Sequence, residues 1–406
     1  MHILFNASAA SSGSGLTYVR NVAPVLARRS DLRATFLVGP KLGSEIGNWS
    51  NVAVREVGFA GSALARFFWE QASVPRLATE LGADILVSAG NFAVRKSPVP
   101  QILLSGNSLY TSQDYRRDLR VRREYGMWVD NEARALLAAK SVGWATATVA
   151  PSEAFAQQLR SWTGDNRVFA IHHGFDESVF FAEHARPNVE LQTVLESTKD
   201  CLCLLFVSHY NYFRNFETLL RAFHVVRAML PEKNPKLLLT TRLRGDANPG
   251  SFRPDAAAAL VRELDLSEHV IELGAVAYAE LHHVYRAADI YVTASYAETF
   301  AHPLVEAMSC GVPIVASDLS VHREVASGAA VYFSRFDFAE LALRVREVVN
   351  SPELAQSLSQ SGRRRAGDFS WDEHVNQLVL LGRDLLARTG REPNSSAQSD
   401  VRAVVP

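Results

Sequence analysis

The chain has 406 residues, 48% apolar and 21% charged, with a formal net charge of −1. That length is too great for one ordinary core and predicts about two domains of a soluble globular protein. The near-zero charge gives no overall field for nucleic acid or an acidic polymer, so no nucleic-acid partner is expected. The three cysteines, Cys201, Cys203 and Cys310, form neither a disulfide framework nor a metal-ligand spacing, which suits a reducing cytosol.

Met1–Phe5 carries no basic leader and reads as a first strand rather than a signal peptide. No apolar run is long enough to span a bilayer. Strand and helix signals then alternate almost throughout, which predicts parallel sheets covered by helices. In the first half the strands fall at His2–Phe5, Ala34–Val38, Ile85–Ser88, Gln101–Leu104, Ala147–Ala150 and Val168–Ile171, and the helices at Thr17–Arg29, Ala63–Leu81, Asn131–Lys140 and Ser152–Trp162. The Ser11–Thr17 turn between first strand and first helix holds Gly13 and Gly15, which let a backbone approach a phosphate. A dinucleotide fingerprint is incomplete there. Tyr18 stands where its third glycine belongs, and the second strand ends in Val38-Gly39-Pro40 without a ribose-binding acid. Tyr115–Tyr125 gathers Arg116, Arg117, Arg120, Arg122 and Arg123. It reads as a solvated helix face or as a peripheral contact with anionic lipid or a phosphorylated acceptor.

Residues 174–200 carry few periodic signals, and the interdomain linker is placed there, giving domains at 1–185 and 186–370. A second alternating series follows, with strands at Cys201–Val207, Lys236–Thr240, Val270–Glu272, Ile290–Ala294, Pro313–Ala316 and Ala330–Phe333. Its helices fall near Glu217–Met229, Asp255–Leu264, Ala279–Ala287, Pro303–Cys310, Val321–Ala326 and Phe338–Val349, with a last helix over 371–388. The fold class is α/β, two Rossmann-like doubly wound units facing across a cleft. Thr389–Pro406 is polar and is expected to be disordered. His172-His173 and His282-His283 lack further ligands at metal spacing, so no metal is expected.

The run Glu298-Thr-Phe-Ala-His-Pro-Leu-Val-Glu306 sets two carboxylates across a strand-to-helix junction, with Pro303 suited to the first helical position. A helix N-terminus there offers an anion site. A carboxylate on either side suits a phosphate flanked by hydroxyl-rich groups, as in a nucleotide-sugar. Together with Ala307-Met308 and Cys310-Gly311-Val312-Pro313, this stretch resembles the glutamate-x7-glutamate signature of retaining glycosyltransferases with the GT-B fold, the family-four group. Thr299 and Ala301 stand where that pattern has glycines.

The resemblance implies a GT-B architecture whose last helix, 371–388, crosses back to the first domain. It implies transfer of a hexose-type sugar, mannose or glucose class, from a GDP- or UDP-linked donor that is a substrate, with no further cofactor and no metal. The acceptor would be a glycan, a lipid-linked molecule or a small molecule, and the setting cytoplasmic or on the inner membrane face. Glu306 would hold the donor ribose. Glu298 and the backbone around Phe300, Ala301, His302 and Leu304 would hold the transferred sugar. Arg214, His209 and the Gly15 turn would take up the diphosphate charge. The usual Arg-x4-Lys pair reads His209-x4-Arg214 here, and Val276 follows the glycine turn whose backbone reads the base. The usual His-Asp pair is replaced by Ser105-Gly106-Asn107-Ser108, leaving Asn107 as a hydrogen-bonding group on the acceptor side. His173-Gly174-Phe175-Asp176 resembles a structural turn closing the first domain. Two alternatives stay open: another GT-B enzyme such as a nucleotide-sugar epimerase, and a catalytically weak partner subunit that binds a sugar nucleotide. No lysine stands out for a pyridoxal phosphate, which weakens a phosphorylase.

Overall fold

The computed structural model describes residues 1–390 except 11, 12, 40, 41, 43–45, 48, 58–61, 182–185 and 246–251. The expected disordered tail therefore lies almost wholly outside the described residues, as do Ser11, Ser12 and Pro40. The chain forms two compact units. The first holds Met1–Thr111, Gly126–Gly174 and the segment from Trp371, and the second holds Ser112–Tyr125 and Phe175–Ser370. These limits differ from the expected boundary at 185/186 in two places: the crossing lies at 174/175, and Ser112–Tyr125 joins the second unit.

In the first unit seven parallel strands, β1 (His2–Ala7), β2 (Arg33–Val38), β3 (Val52–Glu56), β4 (Ile85–Ser88), β5 (Gln101–Leu104), β6 (Ala147–Ala150) and β7 (Val168–Ala170), lie in the order β3-β2-β1-β4-β5-β6-β7. Every residue of β1 and β4 is buried, as expected for strands covered on both faces. β3 is not among the expected strands: it is an edge strand with only Val52 buried and with Arg55 and Glu56 exposed. The helix Trp371–Arg388 packs here: Val375, Leu378, Val379, Leu385 and Leu386 share a core with Ile3, Phe5, Val19, Val22 and Ile85. Gly174 is tied to that docking, because a Cβ on it would lie 2.1 Å from the Trp371 backbone nitrogen. Tyr18, in the place of the missing third glycine, is buried and donates its hydroxyl to Nε2 of His374 at 2.9 Å.

In the second unit six parallel strands, β8 (Cys203–Phe206), β9 (Lys236–Leu239), β10 (Val270–Glu272), β11 (Ile290–Thr293), β12 (Ile314–Ser317) and β13 (Ala330–Phe333), lie in the order β10-β9-β8-β11-β12-β13. The supposed linker carries a helix, Val189–Ser197, capped by the Asn188 side chain. A second unexpected helix, Pro352–Ala366, starts on a Ser351 cap with proline in its first turn.

The arginine-rich segment is also helical, over Gln113–Val121, and part of it faces inward. Arg122 bridges Asp118 at 2.9 Å and Glu217 at 2.8 Å and lies 4.4 Å over the Tyr212 ring, while Tyr296 donates to Asp118 at 2.7 Å. Arg122 thus holds the helix to its own unit and is not part of a free basic face. No helix among the described residues is long and apolar enough to cross a membrane.

Candidate functional site

In a doubly wound sheet the ligand crevice opens at the carboxyl ends of the strands where the order reverses. In the second unit that point lies between β8 and β11. The loops leaving these strands are tied together: Tyr296 N–H donates to the Phe213 carbonyl at 2.9 Å, and the Asn215 side chain donates to the Ala294 carbonyl at 3.2 Å. Asn215 makes the turn with φ of 57°, a conformation asparagine tolerates. The lacing brings Arg214 of one loop onto Glu298 of the other. One Arg214 terminal nitrogen bonds the Glu298 carboxylate and also reaches Ser295 Oγ at 3.3 Å. Glu298 is buried, and the Nε of Arg214 is buried with no hydrogen-bond partner among the described residues. A buried donor atom on a charged group calls for an acceptor atom.

Glu306 follows on the helix His302–Cys310. Pro303 is the second helical residue rather than the first, and Glu306 lies one step beyond the first turn. Its side chain is buried and accepts a 2.8 Å hydrogen bond from the Tyr285 hydroxyl. Burial raises its pKa from 4.5 to about 7, against the smaller opposing effect of that hydrogen bond. Phe300 and Leu304 are buried, and burial lowers the pKa of His302 to about 4, leaving its ring neutral.

Ala301, just before this helix, has φ of 65° and ψ of 64°. A Cβ in that left-handed conformation costs roughly 1 kcal/mol, which explains why the resembled pattern has glycine there. Ala301→Gly is expected to stabilise the protein by about 1 kcal/mol in chemical denaturation. An unchanged or lower midpoint would show that the methyl group packs well enough to offset the strain.

His209 and Val276 come together elsewhere in the same unit. Both line a cavity of about 490 Å³ with Thr240, Thr241, Glu272, Gly274 and the helix bearing Leu191 and Val194. Gly274 has φ of 75°, and a Cβ on it would meet the Arg242 side chain at 3.1 Å. His209 is exposed and is not in the Arg214–Glu298 cluster.

Gly15 and Asn107 belong to the first unit. Gly15 lines a cavity of about 290 Å³ near the β1/β4 reversal, with Arg66, Asn91, Phe92, Ser105, Gly106, Tyr110, Arg134 and His374. Asn107 is absent from that lining. Its side-chain oxygen caps the turn Ser108–Tyr110 by accepting the Leu109 N–H at 3.0 Å. Its neighbours Ser105 and Gly106 face the cavity instead. Asn91, φ 64°, fixes them by accepting the Gly106 N–H at 2.8 Å.

Sequence reasoning missed the groups behind the Arg214–Glu298 pair. Ser317 Oγ donates to the Ser295 carbonyl at 2.5 Å, and the fully buried His322 donates from Nδ1 to the Ser317 carbonyl at 2.9 Å. It also missed Tyr285 as the partner of Glu306. A tyrosine or histidine on an apolar helix face reads as core, so no local signal separates these. Among the described residues no group of three or more His, Cys, Asp or Glu could hold a metal ion.

Residues 190–365 match the family of glycosyl transferases group 1. The chain is 30% identical to the D-inositol 3-phosphate glycosyltransferase of Mycolicibacterium smegmatis, over 62% of this chain and 56% of that one. It is 26% identical to the enzyme of that name from Thermobispora bispora, over 57% and 54%. The chain thus spans about half the length of these relatives. Sucrose-phosphate synthase of Thermosynechococcus elongatus superposes with a TM-score of 0.74 at 18% identity, covering 96% of this chain and 100% of that one. HepE of Anabaena, in complex with UDP and glucose, superposes with a TM-score of 0.70 at 17% identity, covering 95% and 100%. The fold is GT-B.

Proposed function

We propose that this chain, whose residues 190–365 match the glycosyl transferases group 1 family, moves a hexose-type sugar from a UDP- or GDP-linked donor to an acceptor with retention at the anomeric carbon. One observation carries the reading. At the strand-order reversal of the second unit a half-buried arginine is fixed against a buried glutamate, its buried Nε left without a partner among the described residues. A diphosphate oxygen would satisfy that N–H, and Glu298 would accept hydrogen bonds from hydroxyls of the sugar. Glu306, ionised, would accept from ribose hydroxyls. The cavity lined by His209, Gly274 and Val276 would receive the base, with His209 toward the phosphates.

The charge that develops on the leaving diphosphate would meet a preorganised guanidinium, which stabilises the transition state without reorganisation. Glu298 is engaged by Arg214 and Glu306 by Tyr285, so neither is disposed as a free nucleophile. The bond to the acceptor oxygen would then form on the face from which the diphosphate departs, and a phosphate oxygen would take the acceptor proton.

The test is thermal shift with UDP, GDP, ADP and their sugars, followed by release of free nucleotide from the sugar that binds. One nucleotide family should stabilise the protein by RT ln(1 + [L]/Kd), and slow donor hydrolysis should accompany it. Binding without any turnover, with every acceptor class supplied, would favour the partner-subunit reading. Turnover that interconverts two nucleotide-sugars without an acceptor would favour an epimerase. No shift at all would remove the donor site.

A further inference from the structure

The segment Ser112–Tyr125 belongs to the second unit, although the residues on either side of it, up to Thr111 and from Gly126, belong to the first. Its helix Gln113–Val121 starts on a Ser112 cap and buries Tyr115 and Leu119. So short a helix is marginal by itself, and its polar contacts decide where it stays. Those contacts fall on two loops, the same two that carry Arg214 and Glu298.

On the first loop Tyr212 opens the turn Tyr212–Arg214. Its hydroxyl donates to Glu124 at 2.9 Å and accepts the Arg253 N–H at 3.2 Å, and Arg122 lies over its ring. Arg122 also pairs with Glu217, in the first turn of the helix Phe216–Met229 that follows this loop. On the second loop Tyr296 stands two residues before Glu298. Burial keeps its phenol protonated, and it donates to one Asp118 oxygen at 2.7 Å. Arg122 Nε bonds the other Asp118 oxygen at 2.9 Å. One short segment thus grips both loops. The Tyr296 N–H ties the loops to each other at the carbonyl of Phe213, the residue beside Arg214.

We propose that Tyr212, Tyr296, Asp118 and Arg122 are positioning residues for the donor, setting the two loops so that Arg214 Nε is held toward the diphosphate and Glu298 toward the sugar. The proposal rests on the transferase reading above. A guanidinium contributes most when it is fixed before its ligand arrives. The hydrogen bonds of Arg214 to Glu298 and Ser295 run through a single terminal nitrogen. The direction of its Nε therefore follows the backbone of its turn, and Tyr212 and the Tyr296–Phe213 tie hold that turn.

The test is calorimetric titration of the full chain with UDP, GDP and the matching monophosphates, with thermal denaturation of every variant. Y212F and Y296F should each weaken the bound diphosphate about tenfold, roughly what one hydrogen bond to a charged group supplies. The monophosphate should weaken much less. D118N keeps an acceptor for Tyr296 and should retain most of the affinity that D118A loses. With R214Q as background, Y296F should cost less than about twofold, because the group it positions is already gone. Full additivity of Y296F and R214Q would overturn the proposal. So would equal weakening of monophosphate and diphosphate, which would mean general loosening of the unit. A lowered melting temperature with unchanged diphosphate affinity would make the contacts structural only, and would overturn it too. Absence of nucleotide binding in the wild type strikes the transferase reading, and this proposal with it.

Discussion

Glu306→Gln is expected to make the protein more stable and worse at binding its donor. Burial holds the Glu306 pKa near 7, whereas the unfolded chain titrates near 4.5. Between these values the folded state keeps a proton that the unfolded state has lost. Stability therefore falls as pH rises from about 4.5 to 7 and is level above that. At about 1.4 kcal/mol per pKa unit the full cost is about 3 kcal/mol. A glutamine can still accept from Tyr285 and carries no charge to desolvate. E306Q should thus gain on the order of 1–3 kcal/mol over wild type at pH 8 and almost nothing at pH 4, read from denaturant midpoints at both values. Donor affinity should fall at least tenfold in E306Q, and in wild type should weaken as pH drops below 7. A variant less stable than wild type at pH 8 would mean that Glu306 is not desolvated as the structure shows.

Arg214→Gln should produce the second large effect. Removing the guanidinium leaves Glu298 buried without its cation, and breaking such a pair costs roughly 3–5 kcal/mol when both groups are buried. Here the Arg214 side chain is 21% exposed and that of Glu298 8%, so a loss of about 2–3 kcal/mol is expected. R214Q/E298Q should recover at least half of it, because the stranded charge is gone. Transfer activity should drop by about 10²–10³ in R214Q, the usual size for one preorganised transition-state donor, and the double variant should not restore it. A double-mutant cycle on denaturant midpoints measures the coupling directly. Coupling near zero would make the pair incidental.

The parallel strands were legible because strands buried on both faces are continuous apolar runs bounded by turns, as at Ile85–Ser88 and Ala147–Ala150. Elements without such a run were lost. β3 is mostly exposed, and Val189–Ser197 buries only Leu191. The Glu298–Glu306 run was visible because it is contiguous. What Arg214 touches was not, since its partners Glu298 and Ser295 lie more than eighty positions away. Asn107 has a local use that its sequence position does not reveal. Its side-chain oxygen accepts from the backbone two residues on. The left-handed backbone at Ala301 could be suspected only from the resembled glycine, because nothing else in the sequence marks a position where alanine is strained.

The core of the first unit joins residues near position 3 to residues near position 385. On the ribosome this has a temporal meaning. The second unit's residues are all synthesised before the strip formed by Val375, Leu378 and Val379 emerges to cover β1 and the helix Gly13–Ala27. Until then the early sheet carries an uncovered apolar band. Chain synthesis at about 5–20 residues per second makes that interval tens of seconds. The unit that begins first is completed last, and a chain halted short of residue 371 would present that band to chaperones or to its own copies.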